Sequence, residues 1–65
     1  MNVRYFPKTD TLLITFSDRQ VAETWNLAED VLIELDEQGR LVSMTGEHAK
    51  EQMDPTEFTY QLATT

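Results

Sequence analysis

Residues 31–44 read VLIELDEQGRLVSM and describe two apolar runs joined by an acidic turn. Alternation of apolar with other side chains at every second position is typical of a strand that buries one face. Gly39 ends the turn and is free to take the positive φ that such turns usually need. The stretch therefore predicts a β-hairpin around which the other segments are arranged. Its alternating apolar side chains are Val31, Ile33, Leu35, Val42 and Met44.

The N-terminal part of the chain predicts a second hairpin. Residues 2–6 and 11–16 alternate in the same way, and Pro7 ends the first of these strands because it has no N–H to donate. A weaker strand is predicted over residues 21–26, where Trp25 is the only tryptophan of the chain. Trp25 either caps one edge of the core or anchors an interface, since tryptophan is enriched among binding hot spots.

The C-terminal part predicts a short helix and a strand-like tail. Helical composition runs from about Gly46 to Met53, and Pro55 should stop the helix. The tail, residues 54–65, alternates apolar and polar side chains. It is expected to close a sheet edge as an extra strand, to pair with a second copy of the chain, or to stay loose as termini often do. The apolar side chains that the tail places on one face are Phe58, Tyr60 and Leu62.

Together these segments predict an α+β fold in one small domain over residues 1–65. An antiparallel sheet of four or five strands, a meander of hairpins, carries one short C-terminal helix. A chain of 65 residues buries only about 60% of its unfolded surface, so the core is expected to be marginal. Because there is no cysteine, self-association is the most available source of further stability. The expected core residues are Val3, Tyr5, Leu12, Ile14, Phe16, Val31, Ile33, Leu35, Val42 and Met44.

The formal net charge of −7 is unevenly distributed. Residues 1–20 carry three cations against two acids, a net of +1, whereas residues 21–65 carry ten acids against two cations, a net of −8. Nucleic acid is not an expected partner, because its phosphates require a basic footprint. The acidic part is expected either to be a solvated surface or to attract a basic protein partner. No apolar run approaches a membrane span and no signal-peptide core is present, so a cytoplasmic protein is expected.

No combination of residues predicts an enzyme. His48 lies close to Glu51 on the predicted helix and is either an exposed histidine or a weak metal ligand. Glu34, Asp36 and Glu37 near the hairpin tip either form an ordinary turn or chelate a cation, but a calcium loop needs a longer array of oxygen ligands. No catalytic, cofactor-binding or metal-binding residue is therefore predicted, and no cofactor.

The order of motifs resembles a known family. A Tyr-x-Pro motif, an aspartate three residues on, a Leu-x-Ile strand, an Asp-x-x-Gly turn and an alanine in a short helix resemble the YuzE-like proteins, small bacterial domains grouped as domain of unknown function 2283. The resemblance spans roughly residues 3–50. The matching residues are Tyr5, Pro7, Asp10, Leu12, Ile14, Val31, Ile33, Leu35, Asp36, Gly39, Val42 and Ala49.

The resemblance implies a compact antiparallel sheet with a short helix and no assigned reaction. For relatives that lie beside toxin-like genes it implies an antitoxin-type partner. Two acidic positions of the family pattern are absent here. Phe6 stands where members usually carry the aspartate of Tyr-Asp-Pro, and residues 43–46 read SMTG where members carry a Gly-Ile-Glu-Ile-like run.

The predicted fold has more apolar surface than one short helix can cover. We expect the surplus to form an interface, with a homodimer favoured over a different partner. The chain is therefore predicted to be a non-catalytic protein–protein interaction module that self-associates. The alternatives are an antitoxin-like acidic protein that neutralises a basic toxin and a small hydrolase or metal-dependent enzyme. The predicted interface residues are Leu13, Trp25, Leu32, Leu41, Phe58, Tyr60 and Leu62.

Overall fold

The computed structural model describes residues 1–64 and consists of one five-stranded sheet and a one-turn helix. Neighbouring strands are antiparallel throughout, in the order β1-β2-β5-β4-β3. The predicted α+β class, with a short C-terminal helix, is confirmed. The elements are β1 (Asn2–Phe6), β2 (Thr11–Thr15), β3 (Glu23–Ala28), β4 (Val31–Leu35), β5 (Leu41–Glu47) and α1 (Ala49–Gln52).

The sheet consists of two sets of hairpins joined by a crossing segment. β1 and β2 form one hairpin, and β3, β4 and β5 follow one another as a meander. Residues 16–22 cross the end of β5 and β4, so that β2 lies beside β5 and β3 forms the far edge. The amide of Phe16 donates to the Val42 carbonyl at 2.8 Å, and that of Ala22 donates to the Leu35 carbonyl at 2.8 Å. The hairpins were predicted from alternation, whereas the crossing segment was not.

The helix is shorter than the predicted span from Gly46 to Met53. Gly46 lies inside β5, where it pairs with Leu12 on one side and Val31 on the other. The strand therefore continues to Glu47, and His48 turns the chain into the helix with a left-handed φ of 50°. Only residues 49–52 remain helical.

The core is small because the fold has essentially one layer. Leu12 and Val42 are the only two of the predicted core residues that are buried, and Ala49 of the helix joins them. The other eight predicted core residues are only half-buried. The molecule measures 34 × 31 × 18 Å, and its radius of gyration of 12.7 Å exceeds the roughly 11 Å typical of a compact domain of this length.

The tail carries no strand in the part that the structure describes, residues 54–64. It begins with a turn in which the Asp54 carboxylate accepts hydrogen bonds from the Thr56 amide at 3.0 Å and from the Thr56 hydroxyl. The predicted tail extends one residue further, to Thr65, which lies outside the described residues. No helix within residues 1–64 has the length and apolarity needed to cross a membrane.

Candidate interaction surface

One face of the sheet, named here the apolar face, is defined by two rows of residues that share a side of the sheet. Residues that pair across antiparallel strands point to the same face, so the strand register gives the rows directly. The first row crosses all five strands with large apolar side chains. It consists of Val3, Ile14, Met44, Ile33 and Trp25. The second row consists of Tyr5, Leu12, Gly46, Val31 and Ala28.

Gly46 opens a gap in the middle of the apolar face. It occupies the central strand between Leu12 and Val31, and a Cβ placed on it would meet no atom within 4 Å. An apolar groove of about 210 Å³ lies over this gap. Met53 and Phe58 reach it from the helix and the tail. The residues from the sheet that line the groove are Leu12, Ile14, Val31, Met44 and Gly46.

The aromatic side chains around the apolar face are largely exposed. Trp25 is 53% exposed, and its indole N–H donates to the Glu23 carboxylate at 2.7 Å. The polar atom of Trp25 is therefore satisfied within its own strand, which leaves the ring available for apolar contact. Exposure rises along the tail, from 50% at Phe58 to 71% at Tyr60 and 79% at Leu62.

The seven predicted interface residues do not lie on one surface. Leu13 and Leu32 flank Thr45 on the opposite side of the sheet, where both are half-buried. That side also carries polar residues, among them Ser43 and Glu34, which are hydrogen-bonded to each other. Trp25 lies at the edge of the apolar face, and Phe58 lines the groove on it. Leu41 pairs with Leu35 beside an irregularity in the pairing of β4 with β5. The sequence could not separate these groups, because strand alternation gives relative faces only within one strand.

The helix end of the sheet, which comprises α1 and the turns before β2 and β4, is held by Asp10. The Asp10 carboxylate accepts hydrogen bonds from the Tyr5 hydroxyl at 2.6 Å and from the Lys50 amide at 3.1 Å. Its backbone carbonyl accepts a further bond from the Ala49 amide at 3.0 Å. Asp10 thus satisfies the first two amides of a helix whose N-cap residue, His48, makes no side-chain capping bond. The hydrogen bond to Asp10 raises the pKa of Tyr5 to about 12.

A second aspartate holds the residue that precedes the helix. The Asp30 carboxylate lies 3.0 Å from Nδ1 of His48, and the Asp30 carbonyl accepts a bond from the Glu47 amide at 2.8 Å. The hydrogen bond and charge of Asp30 raise the pKa of His48, with smaller contributions from Glu51 and Glu47. His48 was predicted to lie on a helix near Glu51; instead it precedes the helix and pairs with Asp30.

The turn end of the sheet, which comprises residues 36–40 and the crossing segment 16–22, is held by Asp36. The buried Asp36 carboxylate accepts hydrogen bonds from the amides of Gln38 and Arg40, both at 2.9 Å. Its other oxygen lies 2.9 Å from Nε of Arg40 and 2.6 Å from Nε of Arg19. The bond from the Arg40 amide, followed by that from Gln38, lowers the pKa of Asp36 to about 2.

These contacts give the acidic hairpin a structural role. Asp36 fixes the turn, in which Gly39 adopts the predicted positive φ of 77°, and fastens the crossing segment to it through Arg19. Glu34 bonds to Ser43 and Glu37 is exposed, so the three acids do not converge on one point. Within residues 1–64, no group of three or more histidine, cysteine or acidic side chains is placed to hold a metal ion.

The fold and its surfaces define a small α+β domain in which one face of an antiparallel sheet is only partly covered. The chain belongs to the family described as protein of unknown function (DUF2283), whose model matches residues 2–50. The match covers the five strands and the start of the helix. No curated protein and no solved structure matches the chain.

Proposed function

We propose that this protein is a non-catalytic, self-associating interaction module of the cytoplasm whose apolar face binds a second copy of the chain. The observation that carries the proposal is the row of apolar side chains from Val3 to Trp25, which crosses the whole sheet and which the helix and tail cover only in part. Removing such a row from water is favourable at roughly 25 cal/mol for each Å². A single chain gains only part of this free energy.

The exposed area matches what a dimer interface needs. The chain exposes 5263 Å², whereas a compact monomer of its 7.5 kDa mass exposes about 4,250 Å². The excess of about 1,000 Å² is close to the roughly 800 Å² that each partner buries in an interface of standard size. A two-fold arrangement brings the same face of both copies together, so one apolar row covers the other.

The test is the mass in solution of two matched variants. Trp25→Ser removes an apolar side chain from the edge of the apolar face, and Asn26→Ser changes the next residue, which points to the opposite side. We expect light scattering to show that the wild type and Asn26→Ser are dimers at tens of micromolar. The Trp25→Ser dimer should be weaker, so it should dissociate at a higher protein concentration than the wild type. Equal dissociation of the two variants would contradict the proposed face.

A second candidate function is an acidic partner for a basic protein, such as an antitoxin. It is favoured by the net charge of −8 that residues 21–65 carry. An association driven by this charge would slow steeply as the salt concentration rises, whereas association through the apolar face would not. A monomeric wild type, together with one stoichiometric basic partner from native extract and a salt-dependent association rate, would favour this candidate.

A further inference from the structure

The tail follows the turn at Asp54 and joins no strand of the sheet within residues 54–64. From Phe58 to Ala63 its amides and carbonyls form no hydrogen bond with the part of the chain that the structure describes. The segment nevertheless alternates apolar and polar residues, and its apolar side chains become more exposed with distance from the helix. Of this apolar stripe, Phe58 lines the groove over Gly46, whereas Tyr60 and Leu62 are largely exposed.

The groove over Gly46 is an apolar surface that could receive such a stripe. Its lining is almost entirely apolar, and the missing side chain at Gly46 leaves room for an inserted group between Leu12 and Val31. The chain's own Phe58 lines the groove while remaining 50% exposed. The groove is therefore open at the point where the tail departs.

We propose that the two copies exchange tails, so that residues 60–62 of each chain lie on the apolar face of the other. In this arrangement an apolar side chain from the partner's tail fills the space over Gly46. The inference rests on the self-association proposed above and adds the segment that mediates it. A two-fold axis makes the exchange reciprocal, so each dimer buries two stripes and fills two grooves.

The first experiment changes one stripe of the tail at a time in the full-length chain. Tyr60→Ser with Leu62→Ser removes the apolar stripe, and Thr59→Ser with Gln61→Ser changes the other stripe of the same segment. Because Tyr60 and Leu62 are largely exposed, the monomer should keep its fold. We expect sedimentation to show a dimer dissociation constant raised at least about tenfold for the first pair and within about twofold of wild type for the control.

The second experiment fills the gap with a side chain of the protein itself. Gly46→Val places a branched side chain at a position whose Cβ would meet no atom within 4 Å, and β-branched residues suit strands. The monomer should therefore be at least as stable as the wild type in thermal unfolding at low concentration. Since the partner's side chain would lose its place, we expect the dissociation constant to rise about tenfold or more.

The outcomes separate the two proposals. A wild type that stays monomeric overturns both self-association and tail exchange. A dimer that tolerates both the Tyr60/Leu62 double substitution and Gly46→Val overturns tail exchange and leaves self-association through the apolar face intact. Weakening by both changes, with an unaffected Thr59/Gln61 control, supports the exchange.

Discussion

At the turn end of the sheet, the buried Asp36 carboxylate satisfies two amides and two guanidinium groups of the same chain. At the helix end, Asp10 and Asp30 hold a helix of four residues, and an open apolar groove remains beside it. Asp36 pairs with two guanidinium groups that are always charged, so its bonds are ion pairs. Asp10 accepts only from a neutral hydroxyl and neutral amides, and His48 is charged only when protonated, so the turn end is the more firmly held. The comparison teaches that this chain closes one end of the sheet with its own side chains and leaves an apolar groove open at the other.

The largest effect is expected from breaking the turn end. Asp36→Ala removes the acceptor that joins the turn to the crossing segment, so we expect the thermal midpoint to fall by on the order of 10 °C. Glu37→Ala, one residue further into the turn and exposed, is the control and should change little. Circular dichroism melting curves compare them. A similar fall of the thermal midpoint in both variants would show that Asp36 does not hold the turn and the crossing segment together.

A smaller and more local effect is expected from Asp10→Ala at the helix end. The amides of Ala49 and Lys50 lose their acceptors, and alanine tolerates the left-handed φ of 56° poorly. We expect a thermal midpoint lower by roughly 4–8 °C and faster hydrogen exchange of these two amides. Asp10→Asn, which keeps an acceptor oxygen and suits the left-handed region, should restore most of the protection. Unchanged exchange in Asp10→Ala would contradict the capping role.

The smallest effect is a pH dependence of the helix end. The folded pKa of His48 lies above its ordinary value of about 6.5, so its pairing with Asp30 stabilises the fold fully below that pH. This contribution is lost as the pH rises through the raised pKa. His48→Asn keeps a residue that tolerates the left-handed φ and should be less pH-dependent in thermal melts between pH 5.5 and 8.5. The same slope in both proteins would show that the His48–Asp30 pair adds no stability.

The sequence predicted the parts of this comparison that depend on local patterns. Alternation located the hairpins, and Asp36 and Gly39 were identifiable as turn formers. The contact between Asp36 and Arg19 was not predictable, because it depends on where the crossing segment passes. The sequence places Gly46 at the start of the predicted helix, since a glycine has no side chain to mark a face. Met44, two positions earlier, has the alternation that continues into Gly46 as part of β5.

The predicted interface residues also depend on contacts between strands, which the sequence alone does not give. The excess of apolar residues predicts an interface, which stays a prediction, and the structure shows that Trp25 and the apolar side chains of the tail are exposed. Which residues share a face depends on the register between strands. That register places Leu13 and Leu32 away from Trp25, a separation that no single strand reveals.

The most direct test of the central claim, that a second copy completes the helix end and the apolar face, is sedimentation equilibrium of the wild-type chain from sub-micromolar to several hundred micromolar concentration. We predict a reversible transition from the 7.5 kDa monomer to a species of twice that mass, with no larger assembly. A mass that stays at 7.5 kDa over the whole range would contradict the account.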